Sequence, residues 1–191
     1  MKILSNQLYH IYNQGNNRER IFRDRSDYQL FFKKFIDKVL QYCDVVAYCL
    51  MPNHFHFLIN TNEIASQPIK LGNIETTPLA NGFRLLCSGY ANEFNKKYNR
   101  SGSLFRQKTQ AKNLEATPDR NYPLICFQYI HQNPMTAGLV AKMEDWEFSS
   151  FRSYAGIEEN GIIKKELAYS LIGISRTEFY QESYDFLGKV G

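Results

Sequence analysis

The chain has 191 residues, 43% hydrophobic and 22% charged, with 14 Phe, 13 Tyr and one Trp. That length sets one domain, or one domain with an appendage, and the composition excludes a disordered tail protein. Net charge is +4, but 18 basic residues face 10 acidic ones in 1–143 and 5 face 9 in 144–191, so a basic body (domain 1–143) is expected to carry an acidic extension packed on or near it (144–191).

No apolar run approaches the roughly 18 residues needed to span a bilayer, and the N-terminus lacks the basic-then-apolar order of a signal peptide. A cytoplasmic location without membrane contact is expected. Cys43, Cys49, Cys87 and Cys126 form no C-x-x-C pair, which argues against a zinc knuckle or a disulfide framework and for small core residues.

Residues 8–12 (Leu-Tyr-His-Ile-Tyr) predict a first strand, stopped by the turn-forming run Asn13-Gln14-Gly15-Asn16-Asn17. From Ser26, read as an N-cap, apolar residues recur at Tyr28, Phe31, Phe32, Phe35, Ile36, Val39 and Leu40, a helical period that predicts a first helix ending near Tyr42. Residues 45–50 form a nearly continuous apolar run and predict a buried strand. Met51-Pro52-Asn53 is turn chemistry, and the alternation in 54–59 predicts an antiparallel partner strand, the two forming a hairpin. Residues 61–78 mix small and polar types with little periodicity and predict a loop or a disordered segment.

Leu79, Phe83, Leu86, Tyr90, Phe94 and Tyr98 then step by three or four and predict a long second helix broken at Gly102. Residues 103–114 predict a fourth strand lined with basic residues. Proline and capping residues near Thr117-Pro118-Asp119 open a short third helix with its body at 124–132, closed by Asn133-Pro134. The order β-α-β-β-α-β-α resembles a split βαβ, ferredoxin-like α+β fold, an antiparallel sheet with helices on one face and a C-terminal extension.

His54 and His56, one residue apart on a strand, leave the same face and could share one cation. Tyr129 and Asn133, four apart on a helix, place a phenol and an amide oxygen on one face, and an amide oxygen suits a hard divalent cation. Between residues 94 and 114 stand six basic residues and no acid. Arg18, Lys96, Lys97, Arg106 and Lys108 are the candidates for a track along a polyanion backbone. His10 on the first strand neighbours the H-x-H strand in such a sheet, which opens a supporting or DNA-contacting role. His131 points to another helix face and is read as structural.

Tyr9-His10 with Gly15-Asn16-Asn17-Arg18, Met51-Pro52-Asn53-His54-Phe55-His56, Gly102-Ser103-Leu104-Phe105, Tyr129-Ile130-His131-Gln132-Asn133-Pro134, Ala137-Gly138-Leu139-Val140 and residues 146–154 together resemble the single-tyrosine HUH transposases. The resemblance is strongest to the REP-associated tyrosine transposase branch, and it covers residues 8–154 in the family's order. It implies that His54 and His56 bind a divalent metal, Mg or Mn, that Asn133 supplies a polar third ligand, and that Tyr129 is the nucleophile of a 5′-phosphotyrosine intermediate. The implied partner is single-stranded or hairpin DNA, handled by a monomer or homodimer. A phenol with its ordinary pKa of about 10 is a poor nucleophile at neutral pH, so it needs charge stabilisation at the phosphate. Two departures bear on target sequence: Gln14 stands where a basic residue is common, and Arg106-Gln107-Lys108 replaces a glycine-containing form. Two other readings stay open, a binding protein of the same fold that does not cut, and a hydrolase in which water attacks.

Overall fold

A computed structural model describes residues 3–190. Strand β1 (Leu8–Gln14) runs through a short 3-10 turn at Asn16–Arg18 into helix α1 (Arg25–Lys38). The N-cap of α1 is Asp24 rather than Ser26: the Asp24 and Asp27 side chains each accept from the other's backbone N–H in a capping box. The Ser26 hydroxyl donates to Asp24 Oδ1 instead (2.7 Å). The helix also stops earlier than its apolar period suggests, and Leu40–Tyr42 form a separate 3-10 turn.

Strands β2 (Cys43–Met51) and β3 (His54–Thr61) form the expected hairpin. Residues 61–78, read as a loop, hold a 3-10 turn at Ile64–Ser66 and a two-stranded ribbon, β4 (Ile69–Leu71) with β5 (Ile74–Thr76). Its two-residue turn places Gly72 at φ 61°, a conformation glycine adopts without steric cost. Three residues per strand are too few to show an alternation in sequence.

Helix α2 (Pro78–Lys97) is capped by Thr77, whose hydroxyl accepts from Ala80 N, and buries Leu79, Phe83, Leu86, Tyr90 and Phe94. It leaves the helical path through Asn99 at φ 47°, ahead of Gly102. A Cβ on Gly82 would lie 2.5 Å from the Lys38 carbonyl oxygen, so the approach of α1 to α2 depends on its absence. Of residues 103–114 only β6 (Gln110–Asn113) joins the sheet. Leu104 and Phe105 turn into the core instead, next to an isolated Gly15–Phe105 pairing.

Helix α3 (Tyr122–Thr136) is longer at both ends than its predicted body and contains Pro134. The missing proline N–H falls in the last turn, where Ala137 N still bonds to the Asn133 carbonyl (2.9 Å). Helices α4 (Phe151–Tyr154), α5 (Lys165–Ile172) and α6 (Phe179–Val190) complete the chain.

The sheet order is β2-β3-β1-β6, with β3 antiparallel to both β1 and β2 and β6 antiparallel to β1. That is the split βαβ arrangement, α1 making the crossover. Phe55 and Phe57 on β3 pack against Phe31 and Phe35 of α1 and Phe83 of α2. The helices do not all share that face: α3 lies across the other one, its Tyr129 meeting His10 and His56. The free edge of β2 is covered by the C-terminal segment, through Ser149 opposite Cys49 and Ile163 beside Val45. Trp146 Nε1 donates to the Leu50 carbonyl (3.1 Å) and the Tyr154 hydroxyl to the Val46 carbonyl (2.6 Å).

Candidate catalytic site

Alternation along β3 sends Phe55 and Phe57 into the α1–α2 core and His54 and His56 to the opposite face. The two imidazoles stand edge to face with ring centroids 4.9 Å apart. His54 Nδ1 lies 2.6 Å from Asn53 Oδ1. A carboxamide oxygen only accepts, so the His54 proton sits on Nδ1 and Nε2 keeps a bare lone pair. His56 is buried, and its Nδ1 lies 2.8 Å from Nε2 of His10. Its own Nε2 is shut off from solvent without a hydrogen-bond partner.

Helix α3 brings Tyr129 edge-on to His56 at 5.5 Å between centroids and to His10 at 6.5 Å. Tyr129 is 49% exposed, so a polymer can reach it while His56 and His10 behind it stay buried. One turn on, Asn133 Nδ2 donates to the Tyr129 carbonyl (3.4 Å), and the Asn133 side chain neighbours His54. The structure thus brings His54, His56, Tyr129 and Asn133 together.

Burial sets the electrostatics. It lowers His10 to about 4, with the Lys112 charge adding to the effect. His56 is held well below the usual histidine value by burial and then by His10 and His54. His54 is lowered by burial, with the neighbouring Asn133 side chain opposing the effect. All three imidazoles are therefore neutral at pH 7, the form that can ligate a cation. The orphaned Nε2 of His56, the bare Nε2 of His54 and the Asn133 amide oxygen suit a divalent ion that takes its other ligands from water or phosphate. Among the described residues no three His, Cys, Asp or Glu side chains converge on one point. His10, whose Nε2 is taken up against His56 Nδ1, is not placed as a third ligand.

The basic candidates divide. Arg18, Lys96, Arg106 and Lys108 are exposed. Lys97 is not free for a phosphate: its ammonium donates to Asp24 (2.7 Å), Ser26 (2.8 Å) and the buried Asp27 (2.8 Å), tying the end of α2 to the start of α1. Arg106 and Lys108, with Arg84, line a groove of about 890 Å³ between α2 and residues 102–111. The Asn13 side chain also lines it, so the groove opens on the helix-pair face of β1, opposite the histidines.

Sequence reasoning did not single out Lys112. It lies across from His10 in the β1–β6 register, donates to the Tyr122 hydroxyl (2.6 Å) and stands 4.0 Å from the centre of that ring. Only the register shows that this one cation of the basic stretch shares the histidine face. His131, read as structural, is fully buried and hydrogen-bonded to the Ser150 hydroxyl (2.7 Å).

No family model matches the chain, and no curated protein matches it. Among solved structures, one of a REP-associated tyrosine transposase bound to a REP hairpin is similar at 14% identity with a TM-score of 0.58. The match covers 84% of this chain and 93% of that one. The likeness is one of fold, a mixed α/β arrangement built on an antiparallel sheet. No helix among the described residues is long and apolar enough to cross a membrane.

Proposed function

We propose that this protein is a DNA strand transferase that nicks and rejoins single-stranded DNA carrying a hairpin, acting through Tyr129. The observation that carries this reading is the half-exposed Tyr129 phenol set edge-on to His56, whose Nε2 is buried and unpartnered beside His54 and Asn133. The fold likeness to a hairpin-bound tyrosine transposase supports the choice of substrate.

The chemistry follows from the side chains. The Tyr129 oxygen attacks phosphorus and forms an O–P bond as the P–O3′ bond breaks; the phenol gives up its proton and the departing 3′ oxygen gains one. The product is a 5′-phosphotyrosine and a free 3′-hydroxyl. Because the phosphodiester energy stays in the covalent link, a second 3′-hydroxyl can reverse the step without a nucleotide cofactor. His54, His56 and Asn133 would hold a Mg or Mn ion, which supplies charge stabilisation at the phosphate. The half-exposed phenol is open to a strand approaching from solvent. Arg18, Lys96, Arg106 and Lys108 would neutralise backbone phosphates of the bound DNA, Arg106 and Lys108 from the groove on the other face of the sheet.

The experiment incubates the protein with an end-labelled single-stranded oligonucleotide carrying a hairpin, with Mn, and resolves the products on a denaturing gel. A nicked strand together with a covalent protein–DNA adduct is expected. A nick without an adduct would assign the attack to water, and binding without either would make this a non-cutting DNA-binding protein; each overturns the reading.

A further inference from the structure

His10 is the one buried side chain of the site that the proposed reaction leaves without a task. Its register explains how it gets there. His10 pairs with Leu58 and Tyr12 pairs with His56, so His10 is the diagonal neighbour of His56 on the face of the sheet that both share. The two rings lie nearly parallel, 27° apart with centroids at 5.0 Å, and Nε2 of His10 meets Nδ1 of His56 at 2.8 Å.

One proton fills that gap, and it can come from either side. If His10 Nε2–H donates, the proton of a neutral His56 must sit on its own Nε2, which then cannot ligate and becomes a buried donor with no acceptor. If His56 Nδ1–H donates to His10, Nε2 of His56 keeps a bare lone pair. His54 has the second arrangement, because its Nδ1 partner is the obligate acceptor Asn53 Oδ1. With the second arrangement at His56 as well, both histidines present Nε2.

We propose that His10 is a positioning residue: it accepts the Nδ1–H of His56, which fixes the tautomer and ring orientation that offer His56 Nε2 to a divalent cation. This rests on the metal-dependent reading above. Turning the His56 ring about its Cβ–Cγ bond would put a carbon against His10 and another carbon where Nε2 stands, and the hydrogen bond opposes that turn. Tyr12 supports the arrangement, with ring centroids 4.8 Å from His10 and 5.8 Å from His56. Partners that orient a ligating histidine in this way are worth about 10–100-fold in metal affinity.

The test uses the full chain, with two readouts that do not need DNA cleavage: the His56 tautomer in metal-free protein by long-range 1H–15N NMR, and Mn affinity by titration calorimetry. His10→Phe keeps a ring against Tyr12 and removes the acceptor; His10→Gln restores an acceptor near the Nε2 position. Wild type should show His56 protonated at Nδ1. His10→Phe should bind Mn about 10–100-fold more weakly, and His10→Gln should recover most of the loss. His56 protonated at Nε2 in wild type, unchanged Mn affinity in His10→Phe, or a Gln variant no better than Phe would overturn the assignment. If His10→Phe does not fold, the wild-type tautomer and the Gln variant still decide. A wild type that binds no Mn while His56 is protonated at Nδ1 overturns the metal reading, and the orienting role of His10 stands.

Discussion

Replacing Lys97 with Met separates two roles that the sequence alone assigns to one residue. As a phosphate contact, Lys97 would contribute about 0.7 to the slope of log K against log salt for a single strand. In the structure its ammonium is held by Asp24, Ser26 and Asp27. Asp27 is 1% exposed and also accepts from Arg23 N (2.8 Å) and the Tyr98 hydroxyl (2.8 Å). Removing Lys97 takes away a partly exposed pair with Asp24 and the charge partner of a buried carboxylate, a loss of about 1–2 kcal/mol after discounting for solvent. Asp27→Ala leaves the Arg23 and Asp24 backbone N–H groups at the start of α1 without their side-chain acceptor, while Lys97 and the Tyr98 hydroxyl keep Asp24; the expected cost is about 1–3 kcal/mol. At about 2–4 °C per kcal/mol, Lys97→Met should lower Tm by about 2–8 °C. The control is Arg106→Ala with Lys108→Ala, which should leave Tm nearly unchanged and lower the salt slope by about 1.4. Thermal melts and anisotropy titrations of a labelled single-stranded hairpin over a range of salt read both quantities. A Lys97→Met variant with unchanged Tm and a shallower salt slope would refute the assignment.

Burial lowers His131 to about 3, so below pH 6.5 the unfolded chain binds a proton that the folded one refuses. Stability should therefore fall with falling pH between 6.5 and about 3, by up to about 1.4 kcal/mol per pH unit for this group. In urea melts from pH 6.5 to 4.5, His131→Gln should show a shallower decline than wild type; equal slopes would contradict the burial argument. Gly82→Ala gains about 1 kcal/mol of helix propensity but forces a Cβ to 2.5 Å from the Lys38 carbonyl oxygen. The net expectation is a loss of about 1–2 kcal/mol in chemical denaturation, and a stabilised variant would show that the α1–α2 crossing tolerates separation. His56→Ala should abolish cleavage while binding of hairpin DNA changes little, since phosphate contacts dominate affinity; full cleavage by that variant after metal removal would exclude the histidine pair from the chemistry.

The element order was legible because each piece leaves a local mark: the Phe and Tyr spacing of α1 and α2, the apolar run of β2, the alternation of β3. The same local rules place His54 with His56 and Tyr129 with Asn133, since two-residue and four-residue spacings fix a shared face within one element. What was not legible depends on contacts distant in sequence. The basic run in 103–114 reads as one strand, but Phe105 is drawn into the core by Phe31 and Phe55, and within it only the strand Gln110–Asn113 pairs in register with β1. Lys97 reads as surface charge until α2 delivers it to the cap of α1, 70 residues away. Pro134 marks a helix end in isolation, yet α3 continues two residues past it. That His10 neighbours the H-x-H strand follows from the expected strand order, but its hydrogen bond with His56 and the place of Lys112 on the histidine face come from sheet register, which no local pattern carries.

The central claim is that Tyr129 forms the covalent bond to DNA. Tyr129→Phe keeps the ring and the helix and removes only the phenol oxygen. The decisive measurement is peptide mapping by mass spectrometry of the wild-type protein after reaction with hairpin DNA and Mn, with Tyr129→Phe in parallel. The account predicts a nucleotide on Tyr129 in wild type and no adduct in the variant, which should still bind Mn and DNA. Tyr122 lies two turns away on the same helix and should not replace it, because reacting atoms must come within about 3–3.5 Å. An adduct on Tyr122 or any other residue, or undiminished cleavage by Tyr129→Phe, would contradict the claim.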